Sequence, residues 1–245
     1  MNDTIRLIQN HRSIRNYLDK DIPEEVLDEI LKASQSMPNS INGQQISVIV
    51  VKDKKRKSEI SAASGSNPWI DQAPVFLIFV ADFYKTNIAA LKSGKKQVIQ
   101  ESVEGTLAAT FDAGLAMGGA IVAAESLGLG IVPIGGVRTN PEEIIRLLEL
   151  PEYTFPLAGL VIGYPADNSA LKPRLPLESF AHEETYNKEK VKEAIDTYDK
   201  AMEEYYTKRG DKSTNWSNQV SSIYQFVYFP KVYPTMKKQG FLNDK

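Results

Sequence analysis

The sequence predicts a mixed fold, an α/β or α+β sandwich, on three observations. Four short apolar runs, at 46–51, 74–81, 131–134 and 157–162, have the length and composition of buried strands. Between them lie segments with helical spacing of apolar residues and recognisable start signals. The chain of 245 residues is long enough for one large domain or two small ones with a sizeable core.

The bulk composition narrows the function. With 29 basic and 31 acidic residues there is no basic field, so nucleic acid is not an expected partner. Cysteine is absent, which excludes disulfides, thiolate metal sites and cysteine nucleophiles and fits a reducing cytosol. Two histidines make a histidine-rich metal site an unfavoured reading, and no metal is expected. The N-terminus opens no signal peptide, and the longest charge-free apolar stretch, 113–124, is too short to cross a bilayer, so no membrane is expected.

Taken in order, Asp3 or Thr4 could cap a first helix to about Asn10, with Ile5, Leu7 and Ile8 inward. His11-Arg12-Ser13-Ile14-Arg15 is a dense cluster of donors. If extended, it places His11, Ser13 and Arg15 on one face, and guanidinium groups suit bidentate phosphate binding; an exposed basic turn making salt bridges has the same composition. Asp21-Ile22-Pro23-Glu24-Glu25 starts a helix to about Ser36. The loop 37–45 carries Asn39, Ser40, Asn42 and Gln44, amides and a hydroxyl that suit a heteroaromatic edge or sugar hydroxyls, and equally an ordinary turn. After the strand 46–51, Asp53 starts a short basic helix to about Ala63, and 65–69 form a second loop. The segment 85–100 is polar and reads as peripheral.

From about 102 to 127 the pattern is helical, with Gly114 and Gly118 four apart. Small residues at this spacing allow close approach of another helix, of the same chain or across a dimer. Gly128 and Gly130 are expected to stop the helix through positive φ. The strand 131–134 then leads to Gly135-Gly136, a backbone without side chains that a flat ligand or phosphate can approach, with Arg138 just beyond. Asn140 caps and Pro141 opens a further helix to about Leu148. Lys172 and Arg174 flank Pro173 in a stiff, extended segment. The region 183–208 is a long amphipathic helix with a narrow stripe (Val191, Ile195, Tyr198, Met202, Tyr205) or a loosely held excursion, and 209–215 is a polar break. The aromatic tail, from Trp216 to Phe241, docks on its own core or on a partner subunit.

Four loops therefore offer polar or cationic donors, at 11–15, 39–44, 133–138 and 172–174, and no Walker A pattern, dinucleotide fingerprint or nucleophile elbow accompanies them. That combination points to an anionic, hydrogen-bonding ligand and fits a cofactor that carries its own chemistry.

In their order along the chain, His11-Arg12-Ser13-Ile14-Arg15, Ala124-Glu125-Ser126-Leu127-Gly128-Leu129-Gly130, Ile134-Gly135-Gly136-Val137-Arg138 and Lys172-Pro173-Arg174-Leu175-Pro176 resemble the flavin-dependent nitroreductase superfamily. The likeness is to its NADPH-preferring branch of flavin reductases and oxygen-insensitive nitroreductases, and within it to the bacillus-type FMN-containing NAD(P)H oxidoreductases. The stretches 39–45, 69–76, 182–186 and 216–217 support the narrower match. The resemblance covers essentially the whole chain.

It implies an α+β fold with a central sheet flanked by helices, a long interface helix and a C-terminal tail wrapping the partner of a homodimer. It implies a single domain over 1–245, with 183–215 as a charged helical excursion and 216–245 as a docking tail. It implies bound FMN. By position His11, Arg12, Ser13 and Arg15 would hold the phosphate and ribityl chain, Lys172 and Arg174 would also contact the cofactor, and Pro133, Ile134, Gly135 and Gly136 would line the ring. Ser40, Gln44 and Asn67 are supplementary contacts; relatives often carry serine where Asn39 stands and glutamine where Asn67 stands. Arg209 sits where relatives bind the NADPH 2′-phosphate. The implied reaction is a ping-pong transfer of hydride from NADPH or NADH, through the flavin, to free flavin, quinones, nitroaromatic or azo compounds. No protein general acid is required and no catalytic side chain is assigned. A flavin-binding sensor or storage protein, or a flavoenzyme of a different reaction such as dehalogenation or flavin fragmentation, shares the same motifs. The expected location is the cytoplasm.

Overall fold

The structure, a computed structural model, describes residues 2–210 and 214–245. The chain divides into two compact units, one reaching to Ser169 and including Phe229–Lys245, the other Ala170–Tyr228.

The first unit is built on an antiparallel sheet of β1 (Ile46–Val51), β2 (Val75–Asp82), β4 (Thr154–Gly163) and β3 (Gly130–Ile134), in the order β1-β2-β4-β3. Every residue of β2 is buried, as its unbroken apolar run requires. Alternation along it assigns the two faces. Val75, Leu77 and Phe79 pack against α2 (Glu24–Gln35) and α6 (Val103–Ser126), whereas Phe76, Ile78 and Val80 pack with Ile60, Ile70 and Ile144 of α3 (Lys54–Ala63), α4 (Pro68–Gln72) and α7 (Pro141–Leu147). The face that α6 turns to the sheet is a ladder of alanines, Ala113, Ala116, Ala120 and Ala124. Small side chains let a helix lie close over a strand layer.

The pairing of β2 with β4 shifts between Phe79 and Val80, which face Ala158 and Pro156, so Leu157 has no partner in the register. Pro156 carries no N–H for the ladder. Arg138 takes up the carbonyl of Leu157. The arginine beside the glycine pair is thus engaged by the bulge, and its guanidinium also lies 5.3 Å from the centre of the Phe229 ring.

Several expectations need correction. Helix α1 (Asp3–Gln9) is capped by Asn2 and buries no residue; Ile5 and Ile8 are exposed because nothing among the described residues covers that face. The segment 85–100, expected to be peripheral, is largely ordered as helix: Asp82 caps α5 (Phe83–Lys92), and a short 3₁₀ turn follows at Ile99–Glu101. Asn140 precedes α7 without a side-chain cap hydrogen bond. Gly128 has φ +77, as a helix end asks, but Gly130 does not have positive φ and opens β3. Helix α6 runs 24 residues and, by length and composition alone, is long enough and apolar enough to cross a membrane. The charges at its ends lie inside the helix rather than bounding it, so the sequence-based length limit does not hold. Its middle carries Asp112, only 2% exposed and hydrogen-bonded, and its inner face is core. Its outer face is open: Leu107 is 60% and Phe111 69% exposed, and a Cβ added at Gly114 or Gly118 would meet, apart from its own helix backbone, no atom of the described residues within 4 Å.

At the end of the first unit, α10 (Val232–Lys238) leads to Phe241, which is buried with its ring 5.8 Å from Phe83 and 6.4 Å from Phe155. This part of the aromatic tail docks on the chain's own core.

The second unit contains α8 (Lys188–Lys208) and α9 (Trp216–Tyr224). The buried stripe of α8 is Ala194, Tyr198 and Met202, spaced by four, whereas Val191, Ile195 and Tyr205 are only half-buried. The Tyr198 ring meets Trp216 edge-on at 6.0 Å, and its hydroxyl donates to the Pro173 carbonyl at 2.9 Å. Part of the expected break at 209–215 lies outside the described residues.

Candidate active site

The basic segment does take an extended form. Ser13 pairs in parallel with Ile131, and the Ile14 amide donates to the Ile131 carbonyl at 2.9 Å. The segment thus continues the sheet beyond β3. Gly130 makes this possible: a Cβ there would sit 2.7 Å from the Ile14 Cβ and Cγ1. Ile14 is buried over that bare backbone, and the alternation of an extended chain leaves His11, Ser13 and Arg15 on the other face. Tyr17 closes the segment by donating to the Ile14 carbonyl at 2.6 Å. Burial pushes the Tyr17 phenol well up from its ordinary value, partly opposed by Arg15.

Each basic side chain has its own setting. His11 Nδ1 is 2.6 Å from Glu125 Oε1, in the last turn of α6. Arg12 donates from Nη1 to Asn168 Oδ1 at 2.7 Å, while its Nε is buried with no partner. The Arg15 guanidinium lies over the Trp69 ring at 5.0 Å. Trp69 belongs to α4, and Asn67 caps that helix by accepting from the Trp69 amide at 3.2 Å, which engages the amide oxygen of its side chain. Ser61 ties the same turn down through the Asn67 carbonyl (2.8 Å) and Asp71 (2.6 Å), and Lys57, its ammonium pushed down by burial, donates to the Ala73 carbonyl.

Beyond β3 comes a 3₁₀ turn, Gly135–Arg138, that begins on the glycine pair. Pro133 is exposed and Ile134 buried. Gly136 lies against the C-terminal cap of α3, where a Cβ would stand 2.5 Å from the Ser64 carbonyl oxygen, so no side chain fits. The structure therefore joins three of the sequence-derived groups: His11 to Arg15 through pairing with β3, Pro133 to Gly136 at the end of that strand, and Asn67 through the contact of Arg15 with Trp69.

Ser40 and Gln44 lie elsewhere. Their loop precedes β1, the opposite edge of the sheet, three strand spacings or about 14 Å from the line of β3. The loop is strained, with Ile41, Asn42 and Gln44 all at φ near +50 (50, 55 and 49). Asp112 holds it. One carboxylate oxygen accepts from the Ser40 amide at 3.0 Å and the Gln45 side-chain amide at 2.6 Å. Ile41 is left 96% exposed at the tip. Asp112, Lys32, Lys85 and Gln44 line a cavity of about 530 Å³ beside it.

In the second unit, Lys172 lies 5.8 Å from the Tyr206 ring. Pro173 between Lys172 and Arg174 is held by Tyr198, and Arg209, which caps α8, donates to the Tyr205 hydroxyl at 3.0 Å.

Three positions in contact with candidate site residues or their loops had no role assigned from the sequence. Glu125 and Trp69 lay inside quoted motifs without a role of their own, and Asp112 was hidden in an apolar helix. The one available signal was a lone acid inside an apolar run, which is improbable unless it is partnered.

A basic segment added to a sheet edge that ends in bare backbone defines an α+β protein with a polar, cationic set of groups suited to an anionic ligand. Comparison with known proteins places it further: the nitroreductase family matches residues 8–164 and that family's C-terminal domain matches 172–244. The chain belongs to the nitroreductase family. It is 52% identical to the FMN reductase [NAD(P)H] of Bacillus subtilis and 36% identical to that organism's FMN reductase (NADPH), covering 100% of this chain in both and 100% and 96% of the relatives. The solved structure of B. megaterium NfrA2 superposes with a TM-score of 0.98 at 49% identity, with both chains covered in full.

Proposed function

We propose that the protein is an FMN-dependent NAD(P)H oxidoreductase that delivers electrons to free flavin, quinones, nitroaromatic or azo compounds. The observation that carries this reading is the docking of His11–Arg15 along β3, with a buried, unpartnered Arg12 Nε, next to the bare Gly135-Gly136 backbone. A donor set of two guanidiniums, a hydroxyl and an imidazole fits a phosphate with its polyol chain, and a strand end without side chains fits the edge of a flat ring. When bound, FMN supplies the hydride and electron chemistry. The chain's own residues bind and orient it. Arg12 and Arg15 hold the phosphate, Arg15 being braced on Trp69. Pro133, Ile134, Gly135 and Gly136 present main-chain groups to the ring. Asn67 retains an amide N–H₂ for it, since the side-chain oxygen is committed to the helix cap. Lys172 and Arg174 are proposed as further cofactor-binding cations, and Arg209 as the nucleotide phosphate contact, on the family resemblance. The two units act as one nitroreductase-like domain in this reading.

The working form is a homodimer in the cytoplasm. The outer face of α6, with Leu107, Phe111 and two glycines open to close approach, is covered by a second copy. Ser40 and Gln44, on the far edge of their own sheet, serve the site of that second copy.

The test is the visible absorbance of the purified protein under anaerobic conditions, titrated with NADPH and separately with NADH. A yellow protein bleached within seconds supports the proposal, and the ratio of the two rates gives the nucleotide preference. A yellow protein that neither nucleotide bleaches supports a sensor or storage role instead. A colourless protein that takes up no FMN rejects the cofactor. Arg15→Ala and Lys172→Ala are expected to lose FMN or slow its reduction.

A further inference from the structure

Glu125 is misplaced by helix electrostatics. It occupies the last turn of α6, where the macrodipole disfavours a carboxylate and no basic residue of the turn offsets it. Its side chain is 12% exposed, so water compensates it poorly. What it does contact is His11 Nδ1, at 2.6 Å, from a position 114 residues away in sequence. A carboxylate only accepts, so this contact requires the His11 proton on Nδ1. The other ring nitrogen, Nε2, has no protein partner among the described residues, and the ring is a quarter exposed.

We propose that Glu125 is a positioning residue of the cofactor site. It holds His11 in the Nδ1–H form, so that Nε2 of the neutral ring is an acceptor for a hydroxyl of the bound cofactor's polyol chain. The phosphate is thereby left to Arg12 and Arg15. This rests on the FMN reading above and sharpens it, because the four polar side chains of 11–15 divide their work. An acceptor nitrogen beside a phosphate would meet only other acceptors, whereas a ribityl hydroxyl can donate to it. The same contact fixes the start of the segment to the end of α6, so the imidazole is oriented before any ligand arrives.

The test uses holoprotein labelled with ¹⁵N-histidine at pH 8, where only two histidines contribute and His11→Ala identifies the signal. Wild type is expected to show His11 protonated on Nδ1 and bare on Nε2. Glu125→Ala releases the ring to the Nε2–H form that free imidazole prefers, and Glu125→Gln, of nearly the same shape, gives a mixture. FMN dissociation, read from recovery of flavin fluorescence on dilution, is expected to speed about tenfold in Glu125→Ala and in His11→Ala, the size of one hydrogen bond. In the double variant it should be no faster than in His11→Ala. Equilibrium dialysis against mixed FMN and riboflavin should give the same preference in wild type and His11→Ala, since both flavins carry the hydroxyls.

An Nε2–H ring in wild type, or additive effects of the two substitutions, overturns the proposal. So does an FMN preference that falls in His11→Ala, which would put the imidazole on the phosphate. If the protein holds neither flavin, the FMN reading fails and this assignment with it. The histidine spectrum still reports the Glu125–His11 pair in that case, so the two failures remain distinct.

Discussion

Replacing Gly130 by alanine should dislodge the entire basic segment, although Gly130 is not itself a candidate cofactor contact. The added Cβ would lie 2.7 Å from the Ile14 Cβ and Cγ1 and 2.9 Å from Cγ2. A β-branched side chain cannot rotate away from a clash at its own Cβ. The two backbones must separate, and they are joined there by the bond from the Ile14 amide to the Ile131 carbonyl. Overpacking costs about 1–3 kcal/mol, and loss of the backbone bond about 0.5–1.5 kcal/mol. The stiffer unfolded chain returns about 0.4–1 kcal/mol. The net expectation is a loss of about 2–3 kcal/mol, the middle of that range. Urea unfolding followed by circular dichroism measures it as a lower midpoint at unchanged slope. Because Ser13, Arg12 and Arg15 move with Ile14, flavin retention on gel filtration should fall as well. A Gly130→Ala protein that unfolds at the wild-type midpoint and keeps its flavin would refute the argument that close approach at Gly130 sets the position of the segment.

Three further outcomes follow from named contacts. Asp112→Ala strips the Ser40 amide and the buried Gln45 side chain of their acceptor. It should cost about 2–4 kcal/mol and make the chain cleavable between residues 39 and 45 by a broad protease; an uncut loop would mean that its strained turn is held by other contacts. The Tyr17 phenol is raised above its unfolded value of 10.0, so the folded chain keeps the proton that the unfolded chain gives up as the pH climbs past 10. That stability is fully present below pH 10 and is lost above it, and thermal melts from pH 9 to 11 should fall more steeply for wild type than for Tyr17→Phe. Gly118→Leu places a large side chain where an added Cβ meets nothing of the described residues within 4 Å beyond its own helix backbone. Sedimentation should then show a shift from dimer to monomer with the fold retained, and an intact dimer would move the interface away from this face of α6.

Much of the architecture is written in local chemistry. The apolar runs that became β1 to β4, the Asp53 cap of α3 and the positive φ at Gly128 each depend on residues within a few positions, so the sequence alone determined them. The ordered motifs likewise identified the family, since residues that a common backbone presents together recur in a set order along the chain. Only the tertiary structure decided which of those donors meet. Gly130 was read as a helix stop and proved to be a place of close approach, because the deciding neighbour, Ile14, is 116 positions away. Glu125 and Asp112 acquired roles only when folding brought them to His11 and to Ser40 and Gln45. Arg138 was drawn into the bulge at Leu157. The exposure of α1 and of the outer face of α6 was equally invisible beforehand, since apolar spacing marks a face for burial and does not say which surface will cover it. Short-range rules set the elements, and contacts between distant residues set the site, because a side chain's partners are chosen by packing in three dimensions rather than by spacing along the chain.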